Sequence, residues 1–314
     1  MPPHAKSPTP DLVNTLIVGS GPAGLTSAVT IARNLHTAID GKNPLAFRNA
    51  ARQNTINNYN TIFYVDIEIE KAAKNNEKLF ELTDAGSKVW KGRSLVLASG
   101  IVDVPLDIPG FEECWGRSVF HCLFCHGYEQ RGSASSGILA IGDVVPVPIC
   151  LHAARNAAQM TKSVTIYTHG NTTSAAQIQE AIGPVAPFTV DSRRITEFEL
   201  GANELGITIH FEDGSSKEEA FLAHKPKSAL KSSFLAEQLG LGITPQGDLE
   251  VKPPFNETTL SGCFAAGDNS SFLKTTPNAV NTGANSAAGV ASHVQSRMYG
   301  QKSLGEFMQA QKPA

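Results

Sequence analysis

The chain has 314 residues, which is long enough for two domains with separate cores. Its 26 Lys and Arg residues nearly balance its 29 Asp and Glu residues, so the net charge does not predict a nucleic-acid partner. No apolar run approaches the length of a membrane span, and the proline-rich residues 1–10 lack the apolar stretch of a signal peptide. We therefore expect a disordered tail over residues 1–10 and a cytoplasmic protein without membrane contacts, a setting in which structural disulfides are rare.

The first predicted elements are a strand over residues 15–18, a glycine turn, and a helix over residues 25–35. In a Gly-x-Gly-x-x-Gly turn of this kind, the first glycine permits the tight turn and the second lets a pyrophosphate approach the backbone. The third glycine allows the helix to pack closely on the strand, and the helix N-terminus favours phosphate. The pattern predicts a dinucleotide site formed by residues of this turn: Gly19, Gly21, Pro22, Ala23 and Gly24.

The second strand of this unit is shorter than the pattern requires. A Rossmann unit normally completes a strand ending in an acidic residue about 20 positions further on, where it holds the adenosine ribose. Here the strand begins at Thr37, Asp40 arrives early, and a helix over residues 44–57 follows at once. Asp40 is the candidate ribose partner. The short strand predicts either weak or absent dinucleotide binding, or the omission of a segment from the printed chain.

Alternating apolar residues then predict a short antiparallel meander over residues 61–65, 80–83 and 88–90. A buried strand over residues 94–98 follows the meander and runs into a turn at Gly100. Ala98 and Gly100, at the end of this strand, are further candidate cofactor contacts.

A Cys-x-x-Cys pair lies between two histidines in the segment from His121 to His126. Such a pair can cycle between dithiol and disulfide, with one thiol pKa lowered by its surroundings. Taken alone, the segment fits a haem attachment pattern, half of a zinc site, or a pair that exchanges electrons with a second redox centre. Zinc would need two more ligands at regular spacing, and none appears. The isolated Cys114, Cys150 and Cys263 are expected to behave as small apolar residues.

The next strand, over residues 137–141, leads into a turn that departs from the glycine pattern. Only Gly142 remains of the glycines, Asp143 adds a negative charge, Val144 would direct a side chain towards a pyrophosphate, and two prolines remove backbone donors. The strand over residues 163–168 is followed by no arginine that could pair with a 2′-phosphate. This part of the chain is expected to keep a Rossmann-like fold and to bind NADPH poorly.

An apolar strand close to the C-terminus ends in Gly267-Asp268. An acidic side chain at such a strand end suits the ribityl hydroxyls of a flavin. A helix of small residues begins near Pro277 and ends near Val294, and its N-terminal amides suit the electron-rich edge of an isoalloxazine ring. The candidate flavin contacts in these segments are Gly267, Asp268, Ala279 and Val280.

The order of these segments resembles the low-molecular-weight thioredoxin reductase family. Gly-Ser-Gly-Pro-Ala-Gly comes first, then Leu-Val-Leu-Ala-Ser-Gly near residue 100, Cys-x-x-Cys, and Phe-Ala-Ala-Gly-Asp. Within that family, residues 121–129 and 222–226 resemble the fungal dithiol oxidases of the gliotoxin and holomycin type. The resemblance implies an α/β fold of two Rossmann-like three-layer domains. An FAD-binding domain would be split between residues 11–115 and 231–314, and an inserted NADPH-like domain over residues 116–230 would carry the cysteine pair.

The resemblance also implies a chemistry. Enzymes of this type close a disulfide in small dithiols of secondary metabolism (epipolythiodioxopiperazine mycotoxins), with electrons passing from the cysteine pair to FAD and dioxygen to give hydrogen peroxide. Cys125 would contact the flavin, Cys122 would exchange with the substrate sulfur, and His126 and His121 would carry protons. A homodimer is expected, with the small dithiol or disulfide and dioxygen as partners. The alternatives are an NADPH-dependent disulfide reductase of the thioredoxin type and a catalytically silent scaffold.

Overall fold

The computed structural model describes residues 12–19, 23–24, 44–123 and 127–311. The chain divides into two compact units: unit 1 is Met1–Val102 with Ala229–Ala314, and unit 2 is Asp103–Ser228. Each unit has a Rossmann-like three-layer α/β fold, so the predicted fold class is confirmed. The segments that connect the units, Ile101–Val104 and Lys227–Leu230, pair as a two-stranded sheet.

Helices and strands are numbered here in chain order over the described residues. The helices are α1 (Pro44–Asn58), α2 (Phe111–Cys114), α3 (Val147–Ala157), α4 (Thr172–Ile182), α5 (Ser233–Gln238), α6 (Thr276–Met298) and α7 (Leu304–Ala310). The strands are β1 (Leu12–Val18), β2 (Ile69–Lys74), β3 (Phe80–Asp84), β4 (Val89–Leu97), β5 (Ile101–Val104), β6 (Val119–Phe120), β7 (Ser133–Leu139), β8 (Thr161–Tyr167), β9 (Phe188–Asp191), β10 (Ile195–Leu200), β11 (Ile207–Phe211), β12 (Ser216–Glu219), β13 (Leu222–Ala223), β14 (Lys227–Leu230), β15 (Val251–Lys252), β16 (Glu257–Thr258) and β17 (Cys263–Ala265). The helix predicted over residues 25–35 lies outside the described residues.

The antiparallel part of unit 1 differs from the prediction in one strand. β2, β3 and the first half of β4 pair antiparallel, whereas the predicted strand over residues 61–65 has no regular secondary structure. The short turn between β2 and β3 explains the difference. It is closed by a hydrogen bond of 2.9 Å from Asn75 N to Leu79 O, and turn geometry sets the register of a hairpin. The strand immediately before that turn therefore becomes the partner of β3.

β4 lies in the middle of unit 1. Its second half is parallel to β1 on one side and to β17 on the other, and residues 95–97 are fully or almost fully buried. Val96 packs with Val290 of α6 in one cluster, and Leu95 packs with Leu235 of α5 in another. Because helices cover both faces of the strand, its sequence is continuously apolar.

Unit 2 is built on a parallel sheet with the order β6-β13-β7-β8-β9 over the described residues. Neighbouring residues on its strands point to opposite faces. Ile138 and Ile166 pack on the side of α3 and α4, while Leu139 and Tyr167 pack against the antiparallel strands β10 and β11. The middle layer is therefore covered by helices on one face and by a second sheet on the other.

Candidate functional site

Three parallel strands of unit 1, β1, β4 and β17, end at one edge of their sheet, since Val18 and Ala265 both pair with Leu97. Ligands of open α/β sheets bind outside the carboxyl ends of the strands. The predicted cofactor residues that follow these three strands and are described by the structure are Gly19, Ala23, Gly24, Ala98, Gly100, Gly267 and Asp268. Gly21, Pro22 and Asp40 lie outside the described residues.

Gly19 and Gly24 occupy positions where no side chain fits. Gly19 has a φ of +112°, and a Cβ atom there would lie 2.1 Å from the carbonyl oxygen of Ala98. A Cβ atom on Gly24 would lie 2.2 Å from the carbonyl oxygen of Gly19. The two glycines thus allow direct backbone contact between the turn, the helical residues after it and the end of β4. A glycine-rich dinucleotide turn requires this arrangement.

Gly267 and α6 lie at the same sheet edge, on the β17 side of β4. Gly267 has a φ of +85°, and a Cβ atom there would lie 2.9 Å from the Cβ of Ala23. The Gly267 N–H donates to Thr282 Oγ1 of α6 at 3.0 Å, and Ala23, Ala98 and Ala279 pack in one buried cluster. Glycines and alanines from four elements therefore line this part of the sheet edge, and their small size favours the close approach of a ligand.

The first turn of α6 carries no acidic residue. Its N-cap is Thr275, whose side chain accepts a hydrogen bond from Asn278 N, and Val280 is half-buried just beyond it. The positive end of the helix dipole is therefore not neutralised from within the turn. Together with the glycines that exclude a side chain and with Asp268 after β17, these residues fit a flavin dinucleotide. Gly100, with a φ of +76°, directly precedes β5, the segment that leads to unit 2.

Two polar residues near Asp268 were not among the predicted site residues. Asn269 Nδ2 donates to the carbonyl oxygen of Leu97 at 2.9 Å, and Lys274 Nζ donates to the carbonyl oxygen of Asp268 at 2.8 Å. Both bonds hold the loop after β17. The polar segment that follows Gly267-Asp268 in the sequence indicates a hydrogen-bonded loop, but it does not predict which donors and acceptors are paired.

The candidate dithiol residues of unit 2 come directly after β6. His121 is exposed, and its ring stacks on Trp115 with the ring centroids 6.0 Å apart. Cys122 is half-buried and disulfide-bonded. Cys125 and His126 lie outside the described residues, so their roles stay predictions. The carboxyl end of β6 therefore presents a cysteine in its oxidised form beside an accessible imidazole.

His224 lies in the segment 222–226 that resembles the fungal dithiol oxidases, but it was not predicted as a site residue. It follows β13, the neighbour of β6, and is 2 % exposed. Its Nδ1 lies 3.3 Å from the carbonyl oxygen of Leu139, so this nitrogen carries the hydrogen, and its Nε2 has no hydrogen-bond partner among the described residues. Its ring contacts Phe111 edge to face at 5.8 Å. Burial lowers the pKa of His224 to about 4, against smaller opposing effects of the Leu139 hydrogen bond and the Asp143 charge.

Several amides after β7, where an NADPH pyrophosphate would be expected, are bonded within the turn and the start of α3. The N–H groups of Val144, Val145, Ile149 and Cys150 all donate to carbonyl oxygens of residues 141–146, at 2.9–3.3 Å. Pro146 and Pro148 have no N–H to offer. One prediction for this turn is wrong: the Val144 side chain is buried among the unit 2 core residues instead of facing a ligand, because the Gly142–Val144 turn is a 3₁₀ helix that directs it inward.

The three remaining cysteines are free and buried. Burial raises the pKa of the Cys114 thiol, and it raises those of Cys150 and Cys263 to about 12. Within the described part of the chain, no three His, Cys, Asp or Glu residues gather as a metal site. No helix in the same part is long and apolar enough to cross a membrane.

The chain is similar to known oxidoreductases over most of its length, although no protein-family model matches it. It is 39% identical to thioredoxin reductase tcpT of Claviceps purpurea over 318 residues, which covers 94% of this chain and 98% of the relative. It is 38% identical to thioredoxin reductase aclD of Aspergillus oryzae, covering 90% and 96%. The crystal structure of an oxidoreductase from Agrobacterium tumefaciens superposes with a TM-score of 0.74 at 25% identity, covering 92% of this chain and 98% of that one.

Proposed function

The chain belongs to the thioredoxin reductase family of flavoproteins, and on that premise we propose that it is an FAD-dependent dithiol oxidase. The proposed substrate is a small molecule with two thiols. The product that is released carries these two sulfurs as an intramolecular disulfide. Dioxygen is the final electron acceptor and becomes hydrogen peroxide. The family supports an oxidoreductase with a flavin, and the direction of electron flow is the part that we infer.

The proposed reaction begins with thiol–disulfide exchange at Cys122. A substrate thiolate attacks the Cys122 sulfur, the bond from Cys122 to Cys125 breaks, and a mixed disulfide forms. The second substrate thiolate attacks the substrate sulfur of that mixed disulfide, which closes the product and releases Cys122. Two protons pass from the substrate thiols to the two cysteines, with His126 and His121 as the proposed carriers. FAD, when bound, supplies the two-electron acceptor that restores the cysteine disulfide and the means of reducing dioxygen.

Two features near β6 support this role for the cysteine pair. Cys122 stands at the carboxyl end of a parallel strand, which is the edge where α/β sheets bind their ligands. His121 precedes it on the surface, with one face of its ring on Trp115. A histidine imidazole can take up a proton and return it, and the proposed exchange moves two protons from the substrate thiols to the two cysteines.

One observation carries the direction of electron flow: four amides between Val144 and Cys150, after β7, are already hydrogen-bonded to nearby carbonyl oxygens. A dinucleotide pyrophosphate is held by free N–H groups at a glycine turn and a helix N-terminus. In this turn and the first residues of α3, four donors are satisfied by nearby carbonyl oxygens and two positions are proline. Asp143 adds a negative charge that repels phosphate. A flavoprotein that takes no electrons from NADPH must receive them from its thiol substrate.

The second candidate function is NADPH-dependent reduction of a disulfide, which the names of the relatives favour. Anaerobic rapid mixing distinguishes the two candidates. The protein loaded with FAD is mixed either with NADPH or with dithiothreitol, and the flavin absorbance is followed. We expect dithiothreitol alone to bleach the flavin, and air to restore the colour with one hydrogen peroxide per turnover. Bleaching by NADPH at a comparable rate would reject the oxidase in favour of the reductase.

The substrate scaffold and the assembly state are proposed from the resemblance alone. We propose a cyclic dipeptide dithiol of secondary metabolism as the substrate and a homodimer as the working form. Competition by a reduced epidithiodioxopiperazine against dithiothreitol tests the first proposal, and light scattering of the purified protein tests the second. A monomer would contradict the proposed assembly without affecting the chemistry.

A further inference from the structure

Lys274 is the one lysine of the loop between β17 and α6, and its ammonium group is fully hydrogen-bonded. Its Nζ donates to Asp248 Oδ1 at 2.7 Å, to the carbonyl oxygen of Asp268 at 2.8 Å and to that of Ser271 at 3.0 Å. A lysine ammonium has three hydrogens, so these contacts use all of them. The side chains of Lys274 and Asp248 are only 17% and 11% exposed. This ammonium is therefore a fixed part of the structure and not a solvated surface charge.

The two carbonyl oxygens bound by Lys274 belong to the first residue of the 3₁₀ turn Asp268–Ser270 and to Ser271, directly after it. By binding both, the ammonium closes the loop that carries the Asp268 carboxylate. Asn278 of α6 holds the remainder of the loop, because its Nδ2 donates to Ser271 Oγ at 2.6 Å and to the Leu273 carbonyl oxygen at 2.8 Å. The backbone between Gly267 and α6 is thus fixed from two directions.

Asp248 supplies the counter-charge from a part of the chain 26 residues away. It is itself held in a turn, since its N–H donates to Thr244 Oγ1 at 3.2 Å and its carbonyl oxygen accepts from Thr244 N at 2.8 Å. A well-buried ion pair costs desolvation and adds little net stability. Such a pair can still fix the position of the backbone groups that it binds.

We propose that Lys274 and Asp248 form a positioning pair that sets the Asp268 backbone for binding the flavin. Neither residue is catalytic. Lys274 fixes the carbonyl oxygens at both ends of the turn, and Asp248 fixes Lys274, so the carboxylate of Asp268 is presented in one orientation to the ribityl chain. The inference rests on flavin binding as part of the proposed function, and not on oxidase chemistry.

The test measures FAD affinity of the apoprotein by fluorescence titration, together with urea unfolding of the same apoprotein. Lys274→Met leaves the Asp248 carboxylate unpaired and is expected to lower both stability and affinity. The double variant Lys274→Met/Asp248→Leu removes both charges, which restores apoprotein stability. We expect its FAD dissociation constant to remain raised by about tenfold, as for the loss of a charged hydrogen bond, with altered visible circular dichroism of the bound flavin.

Two further variants keep the test decisive. Lys252→Met, at an exposed lysine of the same unit, is the matched control and is expected to bind FAD as the wild-type chain does. Asp248→Asn retains an acceptor for Lys274 and is expected to raise the dissociation constant by less than Lys274→Met does. The positioning role would be overturned if Asp248→Asn raised the dissociation constant more than Lys274→Met does. It would also be overturned if the double variant bound FAD with wild-type affinity. A wild-type chain that takes up no FAD would overturn both proposals, whereas FAD binding without oxidase activity would overturn the proposed function alone.

Discussion

Replacing His224 by asparagine should make the protein less sensitive to mild acid. Burial lowers the pKa of His224 from 6.5 to about 4. Between these two pH values, His224 is therefore protonated in the unfolded chain and neutral in the folded chain. As pH falls from about 6.5 towards 4, the unfolded state binds more protons, and the folded state loses stability. One pKa unit corresponds to about 1.4 kcal/mol. The whole shift therefore amounts to about 3 kcal/mol, of which about 2 kcal/mol is lost between pH 7.5 and pH 5.

The assay is urea unfolding of wild type and His224→Asn at a series of pH values in this range. The asparagine side chain of this variant would keep a donor for the Leu139 carbonyl oxygen but would have no titrating group. Its free energy of unfolding is expected to fall by about 2 kcal/mol less than that of wild type between pH 7.5 and pH 5. The comparison of two chains removes the contributions of His169 and His293, whose pKa values are also lowered by burial.

Phe111→Leu provides the control, because it weakens the ring contact with His224 and leaves the imidazole in place. This variant should lose the same stability at every pH in the series. Parallel pH profiles for wild type and His224→Asn would refute the reasoning, since they would mean that His224 binds its proton equally well in the folded and unfolded chains.

Further variants test the glycine turn after β1 and the cysteines. Gly24→Ala forces a Cβ against the Gly19 carbonyl oxygen and should destabilise the fold by about 3 kcal/mol. Gly305→Ala, with no atom closer than 3.8 Å, should be neutral or stabilise by about 0.5 kcal/mol in the same unfolding assay. Cys122→Ser should abolish flavin bleaching by dithiothreitol in rapid mixing. Cys150→Ala should retain bleaching and lose about 1 kcal/mol of stability, and equal bleaching in both variants would remove Cys122 from the mechanism.

The sequence was sufficient for those features that depend on residues close together in the chain. The strand before Gly19, the buried run in β4 and the long helix after Gly267 follow from apolar patterning and glycine spacing, and the structure contains all three. The fold class followed from their order. The helix predicted over residues 44–57 ends within one residue of α1.

Features that depend on distant contacts were not predicted. β3 pairs with β2 because a short hairpin turn joins these two strands. Apolar alternation does not reveal this turn, so the prediction of a strand over residues 61–65 was wrong. Val144 was expected to face a ligand, but a 3₁₀ turn directs it into the core. The bond between Lys274 and Asp248 joins two segments that local patterns do not relate. Burial of His224 likewise depends on Phe111, more than a hundred positions earlier in the chain.

The burial of Cys150 and Cys263 bears on how well an enzyme that produces hydrogen peroxide would resist oxidation of its own cysteines. Peroxide attacks the thiolate form of cysteine and hardly attacks the protonated thiol. With pKa values raised to about 12 and no access to solvent, these two sulfurs remain protonated and shielded at any physiological pH. An enzyme that generates hydrogen peroxide at a flavin and cycles a single cysteine pair would then confine sulfur oxidation among its cysteines to the pair that turnover itself reduces and reoxidises. Its working life would be limited by side chains other than its spare cysteines.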